Sequence, residues 1–259
     1  TTEADIERLT ERTGVFDAAP VMHEPFRQWV IEDRFTGGAR PDFGAVGVEM
    51  VDDVRPYEHM KLRCLNGTHS ALAYLGYLAG HETIADTIAD PAFSRFADRV
   101  WTDEIVPGLT PPPGTDLAAY TTALKARYAN PAIRHRTWQI AMDGSQKLPQ
   151  RILSQLAEGF AAGRPMSGLI LAVAAWMTYV GGTDLFGKPI DVRDPLGPRL
   201  RAALDAAPDS SVKIAALLAF REIFPAGLAG NETFRTSLVE AHAGLGRHGA
   251  RHMVEVAHA

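Results

Sequence analysis

The sequence predicts a mainly α-helical fold preceded by a short mixed α/β segment, and three observations carry that expectation. From Pro56 onward, apolar residues recur at helical spacing in one segment after another, with Pro and Gly at the boundaries. The strand-like runs, Gln28–Glu32 and Ala45–Val51, both lie before Val54. The composition, 46% hydrophobic and 22% charged over 259 residues, is that of a globular chain able to bury a sizeable core. These patterns divide the chain into a segment 1–54 and a helical body 55–259.

In the first segment, Ala4 to Arg12 has helical spacing. The Gly/Pro-rich loop Gly37-Gly38-Ala39-Arg40-Pro41 separates the two strand-like runs. Two lone strands do not make a stable sheet, so both are expected to find partners elsewhere. In the helical body, Pro56 suits the first turn of a helix carrying Tyr57 to about Leu78, with Gly80 near its end. Gly67 in mid-helix costs about 1 kcal/mol relative to Ala, which implies close approach of another backbone or of a ligand. Further helices are expected at Glu82–Ala89, Pro91–Ile105, Asp116–Ala129, Ala132–Met142 and Lys147–Ala161. Others follow at Ser167–Tyr179, Leu196–Ala206, Ser211–Phe224 and Glu232–Leu245.

Several function classes are disfavoured. The formal net charge is −5 with no basic stripe, so no nucleic-acid partner is expected. A single cysteine, Cys64, rules out an internal disulfide framework and reads as a small core residue. The longest apolar stretch, Gly168 to Val180, falls short of the roughly 20 residues a membrane span needs and reads as a buried helix. No signal peptide is visible, although the chain opens at Thr1 without methionine; the cytoplasm is the expected location. His242, His248, His252 and His258 cluster near the C-terminus. His248 and His252, spaced i,i+4, could share a metal, but no acidic or thiol partner stands at ligand spacing. Solvated surface is expected there, and no metal.

The chemistry concentrates in Met60-Lys61-Leu62-Arg63-Cys64-Leu65-Asn66-Gly67-Thr68-His69-Ser70. At about 100° per residue, Asn66 lies roughly 140° and His69 roughly 80° round the helix from Lys61, so all three can line one side of a pocket. An amine able to take a proton, beside two groups able to bind an oxygen, is chemistry for a carbinol or a carbonyl. Taken singly, a helical lysine is normally solvated, and a helical Asn or His is more often a structural hydrogen bonder.

The stretch Tyr57 to Gly76 resembles the signature helix of the polyol-specific long-chain dehydrogenases, a group containing mannitol 2-dehydrogenase, arabinitol dehydrogenase and fructuronate reductase (mannonate oxidoreductase). The resemblance extends through Glu24–Asp33 and Arg134–Arg151 and covers nearly the whole chain. It implies a multi-helical C-terminal domain and metal-free hydride transfer between NAD and a secondary alcohol carbon. It further implies that Lys61 is the general base for oxidation and the acid for reduction, that Asn66 and His69 hold and polarise the reacting oxygen, and that Lys147 contacts substrate. Those roles are chemically coherent. An unperturbed lysine titrates near 10.4, so a useful base requires burial or a nearby positive charge, from Arg63 or Lys147 if these point inward. The plainer alternative for Lys147 is a surface lysine at a helix start.

Two departures qualify the resemblance. Gln139 stands where the mannitol dehydrogenase branch carries a substrate-binding arginine, and Arg134-His135-Arg136-Thr137-Trp138-Gln139 looks instead like the fructuronate reductase branch. A uronate carboxylate could then be held by Arg134, Arg136 or Lys147, the alternative for the arginines being a solvated basic face. The family's N-terminal nucleotide-binding domain is also not seen: Gly37-Gly38 is a turn, and no Gly-x-Gly-x-x-Gly follows a strand. Residues 1–54 match a linker and strand segment that would complete that domain, so the domain itself is an expected partner. The favoured substrate pair is D-fructuronate/D-mannonate, with a mannitol- or arabinitol-type polyol second. The rival reading is a non-catalytic helical binding or oligomerisation module, since the isolated chain is expected to be inactive.

Overall fold

A computed structural model describes residues 1–21, 23–24 and 26–257. The chain separates into two compact units, Thr1–Val54 and Arg55–Ala259. The fold is mainly helical, as the apolar periodicity predicts.

In the first unit, helix α1 (Glu3–Thr13) is capped reciprocally by Thr2 and Asp5 and ends at Gly14, whose φ of +71° a side chain would disfavour. Strands β1 (Val30–Glu32) and β2 (Glu49–Val51) pair with each other in parallel, Val30 opposite Glu49 and Glu32 opposite Val51. They therefore find each other, where partners from elsewhere were expected. The second strand starts late because Phe43–Val46 forms a 3-10 turn capped by Asp42. Val48 is buried in this unit, whereas Phe16 and Trp29 are 71% and 60% exposed.

The second unit opens on α2 (Arg55–Met60), which passes through a π-helical turn, Lys61–Gly67, into α3 (Thr68–Leu78). The sequence predicts one regular helix here. The i→i+5 bonding of the π turn widens it, so the angular positions reckoned at 3.6 residues per turn do not hold across it. Then come α4 (Ile84–Ala89), capped by Thr83 and Asp86, and α5 (Pro91–Arg99), capped by Asp90, which runs into a second π turn, Val100–Ile105. Helix α6 (Leu117–Tyr128) is capped by Asp116, and the short α7 (Thr137–Ile140) follows. The helix expected from Ala132 does not form before Thr137, because the preceding residues turn and Arg136 bridges to Thr83 as an isolated antiparallel pair.

Helix α8 (Gly144–Leu148), a third π turn at Pro149–Leu153 and α9 (Ser154–Ala161) form one continuous rod. It begins earlier than expected, with Asp143 in the left-handed region at φ +57°. Helices α10 (Ser167–Val180), α11 (Gly197–Asp205), α12 (Ser210–Leu218), α13 (Ala226–Ala229), α14 (Glu232–His248) and α15 (Ala250–Val256) complete the unit. Helix α12 stops short of the expected Phe224, and α15 was not expected.

The core sits around α10, which packs on α3 and α14. Leu169, Val173 and Trp176 have no exposed surface, as a helix apolar on every side requires. No helix among the described residues is long and apolar enough to cross a membrane. Cys64 is fully buried, and burial pushes its thiol up to about 12, in keeping with a core role.

Candidate functional site

The π turn at Lys61–Gly67 packs against the π turn at Pro149–Leu153. Gly67 makes this approach feasible: a Cβ there would lie 2.8 Å from the Arg151 carbonyl oxygen and 3.2 Å from Gln155 Nε2. The mid-helix glycine thus answers to a neighbouring backbone. Single π turns of this kind are frequent at functional sites.

Lys61, Asn66 and His69 occupy graded environments along the stretch. Lys61 is exposed, Asn66 is half-buried, and His69 has its Nε2 fully sequestered with no hydrogen-bond partner among the described residues. The dry setting expected for Lys61 is not supplied by the residues around it in this chain. Arg63 does not supply the expected neighbouring charge either. Its guanidinium is buried and points to Glu158, with Nη1 and Nη2 each donating at 2.6 Å to a carboxylate oxygen, and Nη1 also donating to the Gly108 carbonyl. This is a structural ion pair tying the π turn to α9.

His69 is walled by two rings. Tyr128 stacks on it at 5.2 Å between centroids, and His135 lies tilted at 5.3 Å. Tyr128 is itself fixed by donating its hydroxyl to the Leu65 carbonyl at 2.6 Å. Burial, reinforced by the positive charges of His135, Arg151, Lys147 and Arg127, pushes the His69 imidazole down to about 3. The ring is therefore neutral near neutral pH, with one N–H to donate and no ability to compete as a cation.

Lys147 is half-buried, and its amine donates to the Met142 carbonyl at 2.6 Å and lies 3.8 Å from Asp143. Burial and the neighbouring Arg151 lower its proton affinity, while Asp143 and Asp194 act the other way. Its helix is held by Asp194, which accepts from the Ser145 backbone N–H at 2.7 Å and from its hydroxyl at 2.6 Å. The surface-lysine alternative does not describe this environment.

Arg134 and Arg136 are brought elsewhere. Both are exposed and bracket Glu82, at 3.8 and 4.0 Å. They flank His135 in an irregular segment anchored by Ile84 N–H donating to the His135 carbonyl. The His135 ring meets His69, while the guanidinium groups of Arg134 and Arg136 lie against Glu82.

Three residues of this site carried no assigned role in the sequence reading: Tyr128, His135 and Arg151. Arg151 is half-buried and its Nη1 donates to Ser70 Oγ at 3.2 Å. Its place four residues after Lys147 in the same motif was the available signal, and the positive charge of Arg151 acts on the Lys147 amine.

At the other end of the chain, the His248 and His252 rings lie 5.3 Å apart on exposed positions. His242 is part-buried against Ser210 Oγ at 2.9 Å, not solvated as expected, and burial lowers its proton affinity. His258 lies outside the described residues. Among the described residues, no three His, Cys, Asp or Glu side chains are grouped to hold a metal.

Residues 53–245 match the mannitol dehydrogenase C-terminal domain family. The chain is 46% identical over 253 residues to D-mannonate oxidoreductase of Escherichia coli, covering 98% of this chain and 52% of that protein. It is 38% identical over 252 residues to mannitol 2-dehydrogenase of Aspergillus fumigatus, covering 96% and 49% respectively. Among solved structures, the ternary complex of Pseudomonas fluorescens mannitol 2-dehydrogenase with NAD and D-mannitol superposes with a TM-score of 0.90 at 34% identity, over 98% of this chain and 51% of that one. The chain spans about half the length of the relatives it matches.

Proposed function

The chain belongs to the mannitol dehydrogenase family, whose C-terminal domain it carries over residues 53–245, and we propose that this helical body is the oxygen-binding and proton-handling half of an NAD-dependent oxidoreductase. The favoured reaction is the interconversion of D-fructuronate and D-mannonate. The observation that carries the reading is the sequestered, partnerless Nε2 of His69 beside Asn66, two turns along the helix from an amine. A buried polar atom left unpaired costs about 1–3 kcal/mol, which a reacting oxygen arriving with substrate would relieve.

In this reading His69, neutral and walled by Tyr128 and His135, donates from Nε2 to the reacting oxygen, with the Asn66 carboxamide as second donor. Both interactions strengthen as that oxygen gains negative charge. Lys61 takes the hydroxyl proton in oxidation and returns it in reduction. Lys147 is proposed as a further substrate contact. Arg134 and Arg136 are left out, since their charges are directed to Glu82.

Among the described residues, Gly37 and Gly38 after β1 form a short 3-10 turn, and no α-helix begins there. NAD, when bound, supplies the hydride acceptor, and its site is proposed to lie in the half of the family's length that this chain does not span. Residues 1–54 are proposed to complete that domain, and covering Lys61 is proposed as one of its functions. A cytoplasmic location is part of the same proposal.

The uronate reading rests on the cationic surroundings of His69, formed by His135, Arg151, Lys147 and Arg127, and on the identity to a D-mannonate oxidoreductase. The test compares reduction of D-fructuronate, D-fructose and D-xylulose by the full-length enzyme. A preference for fructuronate is expected; a clear preference for an uncharged ketose would overturn the assignment. The alternative of a non-catalytic helical module predicts no turnover of any of them.

A further inference from the structure

We infer that Arg151 is the residue that recognises the carboxylate of the sugar acid, an assignment that deepens the uronate reading above and rests on it. The argument is one of unbalanced charge. Arg63 is matched by Glu158, Arg193 by Asp191, Arg199 by Glu222, Arg201 by Asp205 and Arg251 by Asp90. Arg151 is half-buried, yet no carboxylate among the described residues lies within ion-pair distance of it. Its side chain makes one hydrogen bond, from Nη1 to the hydroxyl of buried Ser70 at 3.2 Å. Partial burial of a cation without a counter-charge is costly, and a fork of five donors with one acceptor leaves most of them free.

Its position makes the spare donors useful. Ser70 is the residue after His69 on α3, so the guanidinium is held next to the helix turn that carries the oxygen donors. The Arg151 backbone is pinned independently: its carbonyl lies 2.8 Å from where a Gly67 Cβ would stand and accepts from Gln155 Nε2. Lys147 precedes it by four residues on the same rod. An anion entering between these groups would meet a planar fork that matches carboxylate geometry, with an ammonium beside it. Burial lowers the proton affinity of Arg151, with the phenols of Tyr74 and Tyr128 opposing it.

The experiment uses the full-length enzyme and two substrates, D-fructuronate and D-fructose. Arg151→Gln keeps a donor for Ser70 and removes the charge. Its kcat/KM on fructuronate is expected to fall by roughly 10- to 100-fold, chiefly through KM, the size of a lost hydrogen bond to a charged group. Fructose reduction is expected to fall less, so that the preference for fructuronate over fructose drops by about tenfold or more, since an uncharged ketose offers the guanidinium no carboxylate. Arg151→Lys, which preserves charge but not the fork, should fall between, and it decides the matter if the Gln variant does not fold. Equal losses on both substrates, or undiminished fructuronate reduction, would overturn the Arg151 assignment alone. Failure of the wild-type enzyme to reduce fructuronate would overturn the uronate reading and the assignment together.

Discussion

The two ends of the stretch from Lys61 to His69 lie in opposite environments. At one end the amine of Lys61 is exposed; at the other, His69 is enclosed between Tyr128 and His135 with its Nε2 out of reach of solvent. The difference divides the proposed chemistry. The proposed oxygen-binding end is built from residues of the helical body, through two packed π turns and the pairing of buried Arg63 with Glu158. The proposed proton-transfer end lies on the same stretch, and its Lys61 side chain is exposed. A preorganised donor is most effective where water is excluded, whereas a proton carrier needs only placement until the site closes.

The comparison breaks first at Lys61. In the full-length enzyme, Lys61→Ala should lower kcat by roughly 100- to 10,000-fold, the usual scale of general acid–base catalysis. Because the side chain is exposed, the unfolding midpoint should not move. Activity within a few-fold of wild type would remove Lys61 from the proton path. At the enclosed end, His69→Phe should cost about 100- to 1,000-fold in turnover. Its stability should hold or rise, because a buried unpaired nitrogen is replaced by carbon; turnover and denaturant unfolding measured together check both halves.

Two substitutions sharpen the structural side. Glu158→Ala leaves the Arg63 guanidinium buried without its partner. Breaking a fully buried pair costs about 3–5 kcal/mol, and since the Glu158 side chain is 49% exposed a loss nearer 2 kcal/mol is expected by urea unfolding. Gly67→Ala pushes a methyl against the Arg151 carbonyl, 2.8 Å away. Overpacking of about 1–3 kcal/mol is opposed by a gain of about 1 kcal/mol in helix propensity, so a net loss of roughly 1 kcal/mol is expected by the same measurement.

Much of the fold was legible because its signals are local. Capping residues Thr83, Asp90 and Asp116 mark their helices, and the apolar run of α10 marks the core. The π turns were not legible, since nothing in Lys61–Gly67 distinguishes i→i+5 bonding until Arg151 packs against it. The false helix start at Ala132 has the same origin: the bridge between Arg136 and Thr83 joins residues more than fifty positions apart. In the site, the residue types were readable from the motif, and Gly67 correctly signalled a close approach. Burial was not readable. Arg63 looked like a neighbour for the proposed catalytic amine and instead pairs with Glu158, while Arg134 and Arg136 turn to Glu82 and His135 between them meets His69.

The contrast between the two ends is tested most directly by the titration of His69. Its folded value, about 3, lies below the ordinary 6.5, so the unfolded chain takes up a proton that the folded chain refuses. The stability this neutral ring permits is present above about pH 6.5 and is lost as pH falls toward 3, by an amount of order 2 kcal/mol at about pH 5. NMR of the His69 ring should show a chemical shift that stays flat from about pH 8 down to about pH 5. A midpoint near 6.5 would mean that the ring is solvated and charged like any surface histidine, and the enclosed end would not exist.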